Sequence, residues 1–121
     1  MKSLYVDYLQ CLKDIDYLLH KPEFNFIKHV FIFGSLSRQL IHENSDIDLL
    51  LIGTEPKNIE LVSYLSKSID NCLSVYKDVD IKYYEIVEFR KLKKSNLFLK
   101  EIEKDCKSIG ELCNELLRFC T

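Results

Sequence analysis

Two apolar runs, each closed by a glycine, constrain this chain more than anything else in it. HVFIF runs into Gly34, and IDLLLI runs into Gly53. Both are rich in β-branched, aromatic and aliphatic residues and too short for buried helices, so they read as strands covered on at least one face. A chain of 121 residues can build one core around such strands. A second independent core would leave both halves marginal. The second run carries an oddity at its mouth. Asp46 and Asp48 stand two residues apart where the segment otherwise belongs to a core.

The remaining sequence supplies cover for those strands. Leu4, Tyr8, Cys11, Leu12, Ile15, Leu18 and Leu19 recur at helical spacing until Lys21-Pro22, which predicts an N-terminal helix over residues 3–20. His29–Phe33 is the first strand, 35–41 a short helix, HENS a loop and Asp46–Ile52 the second strand. Thr54-Glu55-Pro56 opens a helix to about Val75, with Pro56 near the first helical position, where its missing N–H costs nothing. Leu61, Val62, Leu65, Ile69 and Cys72 point inward. VDIKYY is a third strand, followed by helices near 86–94 and 96–104 and a short edge strand in CKSIG. The last helix, 111–120, is apolar on two stripes: Leu112, Leu116 and Phe119, then Cys113, Leu117 and Cys120. A helix so apolar needs cover on more than one side, from a partner or a second copy. The alternation of helix and strand argues one domain over 1–121, α/β or α+β, with its apolar strands covered on at least one face.

Composition excludes several classes. With a net charge of −2 the chain has no global basic field, so general nucleic-acid binding is not expected. Arg90, Lys91, Lys93 and Lys94 read as a solvated helix face. The five cysteines are odd in number and form no CxxC, which suits packing in a reducing compartment better than a disulfide framework. Asp7, Asp14 and Asp16 interrupt any signal-peptide core, and no run approaches the roughly 18 apolar residues of a membrane span. A cytoplasmic protein is expected.

The acidic pair has a chemical reading. In a strand, residues two apart share a face at about 6.6 Å. Asp46 and Asp48 therefore point one way while Ile47 and Leu49 enter the core. No Lys or Arg lies close in sequence to neutralise them, and a hard divalent cation with oxygen ligands would. Upstream, Gly34 ends a strand and lets a ligand approach the backbone, and Ser35 can cap the helix that follows. Unsatisfied N–H groups at that helix start would seat a phosphate. On VDIKYY, Asp80 shares a face with Lys82 and Tyr84, and beside the second strand it would join the acidic cluster. Asp78, the rival third acid, reads as a turn former. Three carboxylates can hold two metal ions about 3.5–4 Å apart.

FGSLSRQLIHENSDIDLLLIG, with Gly-Ser followed after ten residues by Asp-x-Asp, resembles the signature of the DNA polymerase β-type nucleotidyltransferase superfamily. The match is to its minimal stand-alone domains. VDIKYY matches the strand of the family's third acid at Asp80, and FLKEIEKDCKSIGE resembles the end of these domains. The likeness spans residues 25–111. It implies an α/β fold, a small mixed sheet flanked by helices with a polymerase β-like core at about 25–111, and Asp46, Asp48 and Asp80 as catalytic residues and ligands for two Mg²⁺. Gly34, Ser35 and Arg38 would hold the triphosphate of ATP or another NTP. Ser37 stands where Ala is usual, and Gln39 where a second Gly is usual.

The implied reaction is transfer of a nucleoside monophosphate, AMP first among candidates, to a hydroxyl. A chain this short carries no separate acceptor domain. Minimal members resemble antitoxins that modify a HEPN-domain partner, which makes such a partner the first expectation. A non-catalytic nucleotide-binding inhibitor or assembly module is the alternative, as is a homodimeric small-molecule nucleotidyltransferase joined through the C-terminal helix. If the acidic cluster and the triphosphate share a metal, Mg²⁺ and NTP together should raise the melting temperature more than either alone. The gain should approach about 2.7 kcal/mol at a hundred times the dissociation constant. Thermal melts with each ligand separately and combined measure it.

Overall fold

Alternation of side chains along the strands decides how the sheet is covered. The structure, a computed structural model, describes residues 2–38 and 40–120. Strands β1 (Ile27–Phe33), β2 (Ile47–Gly53), β3 (Val79–Glu85) and β4 (Lys107–Ser108) form one sheet in the order β3-β2-β1-β4. β1 pairs antiparallel with β2 and with β4, whereas β2 and β3 run parallel. The helices are α1 (Lys2–Leu19), α2 (Gly34–Ser37), α3 (Ile59–Cys72), α4 (Ile86–Lys93), α5 (Leu97–Asp105) and α6 (Ile109–Cys120), with a 3-10 turn at Pro22–Phe24.

Ile47, Leu49 and Leu51 of β2 are buried in the larger cluster, together with Leu12 and Ile15 of α1, Leu65 and Ile69 of α3, and Leu112 and Leu116 of α6. Leu50 and Ile52, of opposite parity, enter a smaller cluster with Phe33 and with Leu99 and Ile102 of α5, flanked by Phe89 and Leu92 of α4. Both faces are therefore covered, which explains the unbroken aliphatic run of β2. The mixed sheet with helices on both sides is the α/β architecture that the sequence predicts. The CKSIG edge strand is present as β4, opposite Phe31 and Ile32. No helix is long and apolar enough to cross a membrane among the described residues.

Three expectations change. α3 begins at Ile59 rather than at Pro56, because Asn58 takes the cap and its side chain accepts the Leu61 N–H at 2.8 Å. It also ends at Cys72, short of Val75. The last helix starts at Ile109, two residues early, and is largely covered from within the chain. α1 lies along it, Cys113 and Cys120 pack on the larger cluster, and Phe119 stacks on Tyr5 at 4.6 Å between centroids. Leu117 and Phe119 remain 40% and 44% exposed, so the apolar surface left for a partner is narrower than the two stripes suggest. Leu116→Ala should cost about 2–5 kcal/mol and Leu117→Ala less than about 1 kcal/mol. Urea denaturation of the two variants tests this division of the helix.

Candidate active site

The parallel pairing of β2 with β3 sets Asp48 level with Asp80. The Ile47 N–H, donating to the Asp78 carbonyl at 2.8 Å, fixes that alignment at the strand starts. On the other side of β2, Phe33 of β1 lies opposite Asp48, so the next residue, Gly34, turns directly over it. Gly34 has φ +74°, and a Cβ there would overlap the Asp48 Oδ2. Backbone conformation and space both demand glycine. The expectation at Gly34 is a close approach of backbone to a ligand; the group that lies close to it here is the chain's own Asp48.

The turn after Gly34 differs from the expected capped helix. α2 is a single turn, Phe33 occupies the cap position without a side-chain bond, and Ser35 sits inside the turn rather than capping it. Ser37 braces the turn in a different way. Its buried hydroxyl donates to the Gly34 carbonyl at 2.8 Å, which gives a purpose to serine where the family usually has alanine. Arg38 closes the turn and makes an ion pair with Asp105 of α5 at 3.0 Å. Gln39 lies outside the described residues.

Asp46 immediately precedes β2 and is exposed. Its loop is anchored from α1: the buried Tyr8 hydroxyl donates to the Ser45 carbonyl, and the His42 N–H donates to the Ser45 Oγ at 2.9 Å. The N-terminal helix, expected to lie outside the catalytic core, thus positions the first acid. Asp46 lines a cleft of about 250 Å³ that it shares with Ser45, Tyr76 and Asp78.

Electrostatics mark Asp48 as the strained member. Burial pushes its carboxyl above the usual carboxylate range, and the charges of Asp80 and Asp46 add to the rise. Lys82 and Arg38 act in the opposite direction. A cation does reach this group, contrary to the expectation from local sequence. Lys82 of β3 pairs with Asp80 at 3.5 Å. No three His, Cys, Asp or Glu side chains converge on a metal position among the described residues.

The donor set nevertheless fits Mg²⁺ in kind. Asp46, Asp48 and Asp80 are hard oxygen ligands, and their mutual repulsion at Asp48 is what a divalent cation removes. A second cleft, about 230 Å³, opens on the other side of Gly34, lined by Phe33, Arg38, Phe98 and Ile102 among others. Sequence reasoning missed Tyr8, Lys82 and Asp105, since none of them sits in the motif.

A mixed sheet that aligns two carboxylates beneath a glycine turn is the architecture of a nucleotidyltransferase domain. The chain belongs to the polymerase β nucleotidyltransferase family, whose profile ("Polymerase beta, Nucleotidyltransferase") matches residues 13–111. Solved structures share the fold. One is a toxin–antitoxin with AMP-PNP, with TM-score 0.59 and 19% identity over 88% of this chain and 84% of that one. Another is the toxin–antitoxin MntA–HpeT with two Asp-to-Glu changes, at 0.56 and 18% over 88% and 84%. A Tyr-to-Ala mutant of MntA–HpeT aligns at 0.53 and 17% over 88% and 82%. No curated protein sequence matches the chain.

The raised Asp48 carboxyl has a thermodynamic consequence. Its folded pKa lies above the unfolded one, so ionised Asp48 destabilises the fold, fully above the folded pKa and not at all below the unfolded one. Asp48→Asn should therefore melt higher than the parent at neutral pH in EDTA. The gain should shrink as pH falls through the folded pKa and vanish near about pH 3, below the ordinary carboxylate value. Melting curves of both proteins across that range check it.

Proposed function

We propose that this chain transfers a nucleoside monophosphate from an NTP to a hydroxyl acceptor and releases pyrophosphate, with AMP as the group moved. The observation that carries the reading is the placement of Asp48 beneath a turn that only Gly34 can make and level with Asp80 on the neighbouring strand. Backbone N–H groups at Gly34 and Ser35 hold triphosphate oxygens. Asp46 and Asp48 orient the bound nucleotide, and Asp80 takes the proton of the attacking hydroxyl. When bound, Mg²⁺ supplies charge neutralisation at the phosphates and at the leaving pyrophosphate. Asp46, Asp48 and Asp80 would hold it. The cleft beside Gly34, with the half-exposed Phe98 ring on its wall, offers the base an aromatic surface. Most of the rate in such a site comes from positioning and fixed charge.

The acceptor belongs to a HEPN-type partner protein, and the chain acts as its antitoxin. Support comes from the fold shared with MntA–HpeT and with a toxin–antitoxin that holds AMP-PNP. A second reading, a nucleotide-gripping module that neutralises its partner without chemistry, is favoured by one observation: Asp80 is already paired with Lys82.

Labelling with α-³²P-ATP and Mg²⁺ in the presence of the partner separates the two. For an enzyme, Asp48→Asn and Asp80→Asn should each lower transfer by more than about 10²–10³-fold with circular dichroism unchanged. Neutralisation of the partner should be lost with the label. Partner neutralisation that survives in an unlabelled Asn variant would establish the binding module instead.

A further inference from the structure

We propose that Tyr76 is an acceptor within the chain itself, so that the protein nucleotidylates its own tyrosine. The inference rests on the nucleotidyltransferase reading above and extends it to a substrate. Tyr76 lies just ahead of β3 and is 72% exposed, so packing does not account for its ring. Its hydroxyl donates to the Asp78 carboxylate. Tyr76, Asp78 and Asp46 line the same cleft of about 250 Å³. A hydroxyl, a carboxylate able to take its proton and one of the three site acids thus open into one space.

The backbone holds this arrangement in place. The Asp78 carbonyl accepts the Ile47 N–H at 2.8 Å, which ties the tyrosine's partner to the residue next to Asp46. Lys77 lines the same cleft, its ammonium 4.8 Å from the centre of the Tyr8 ring and 3.5 Å from the Glu43 carbonyl, and so adds a positive charge to the space that Tyr76 and Asp78 share. Three other hydroxyls are engaged within the fold. Ser45 is buried and bonded to the His42 N–H, Ser74 donates to Asp14, and Tyr83 donates to the Glu55 carbonyl beyond the far end of the sheet.

In the step itself, the phenolic oxygen of Tyr76 forms a bond to the α-phosphorus of the NTP as the bond from that phosphorus to the bridging oxygen breaks. The phenolic proton passes to Asp78 and then to solvent. Pyrophosphate leaves with the electron pair of the broken bond. One NTP gives one tyrosyl nucleotide and one pyrophosphate, and no other reactant is needed.

The experiment uses the full chain alone, with Mg²⁺ and each of the four α-³²P-labelled NTPs in turn, read by gel, intact mass and peptide mapping. The expected result is one nucleoside monophosphate per chain, mapped to Tyr76, absent in Tyr76→Phe and slowed roughly 10²–10⁴-fold in Asp78→Asn. A second readout needs no turnover. Mg²⁺ with AMP-PNP should suppress nitration of Tyr76 by tetranitromethane, while Tyr17, 76% exposed on α1, nitrates equally with and without nucleotide. Label that persists in Tyr76→Phe, or that maps to another residue, overturns the proposal. So does an unlabelled parent whose Tyr76 nitrates freely while Mg·ATP still raises its melting temperature; there the nucleotide site stands and only the self-acceptor falls. A parent whose melting temperature no nucleotide changes removes the nucleotidyltransferase reading, and this inference with it.

Discussion

Repulsion between carboxylates at the ends of two parallel strands is the constraint around which this molecule is arranged. Once β2 and β3 pair in their observed register, Asp48 and Asp80 cannot avoid each other. Two unit charges about 5 Å apart repel by roughly 3 kcal/mol at an effective dielectric near 20, and by less than about 1 kcal/mol in bulk water. Exposure of Asp80 moves that pair toward the weaker limit, and Lys82 offsets part of what is left. For Asp48 the charges of Lys82 and Arg38 do not outweigh burial and the two neighbouring acids. It lies half-buried beneath Gly34, and its carboxyl is shifted accordingly. A fold optimised for stability alone would place an amide there.

That tension is tolerated because the surroundings are rigid on every side. Asp48 stands on the central strand of the sheet, between Phe33 and Asp80, with aliphatic residues buried on both faces of the same strand. Ahead of it, the loop that carries Asp46 is tied to α1 through Tyr8 and Ser45. Above it, the turn is closed by Ser37 on the Gly34 carbonyl. Each tie comes from a different element, so the acids are positioned by the whole sheet and its helices rather than by a local motif.

The parts legible in the sequence were those encoded by short-range pattern. Continuous aliphatic runs mark β1 and β2 because both faces of the sheet are covered, and the parity of Asp46, Asp48 and Asp80 follows from the period of a strand. Gly34 was recognisable as a close-approach glycine, although the group beneath it was not. What stayed hidden depends on pairing between distant segments. Lys82 reaches the cluster through Asp80, and that matters to Asp48 only once β3 is known to lie beside β2. Arg38 and Asp105 are 67 residues apart, and Tyr8 meets Ser45 across 37. Local choices at element ends also misled: Asn58 outcompeted Pro56 because a side-chain oxygen can satisfy a free N–H and a proline ring cannot. The metal-ligand roles of the three acids rest on family resemblance and chemistry.

The packing of α1 against α6 bears on how the chain is made. Tyr5 and Phe119 stack on each other although almost the whole sequence lies between them. The apolar stripe of α1, with Leu12 and Ile15 fully buried in the finished fold, shares its cluster with Leu112 and Leu116. On the ribosome the α1 side chains emerge well before the α6 residues that cover them. While the segments between are made the nascent chain therefore carries an uncovered greasy helix, and closure of so long a loop has a correspondingly large entropic cost. The loop before Asp46 leans on α1 through Tyr8, so the placing of the first acid waits on the arrival of α6.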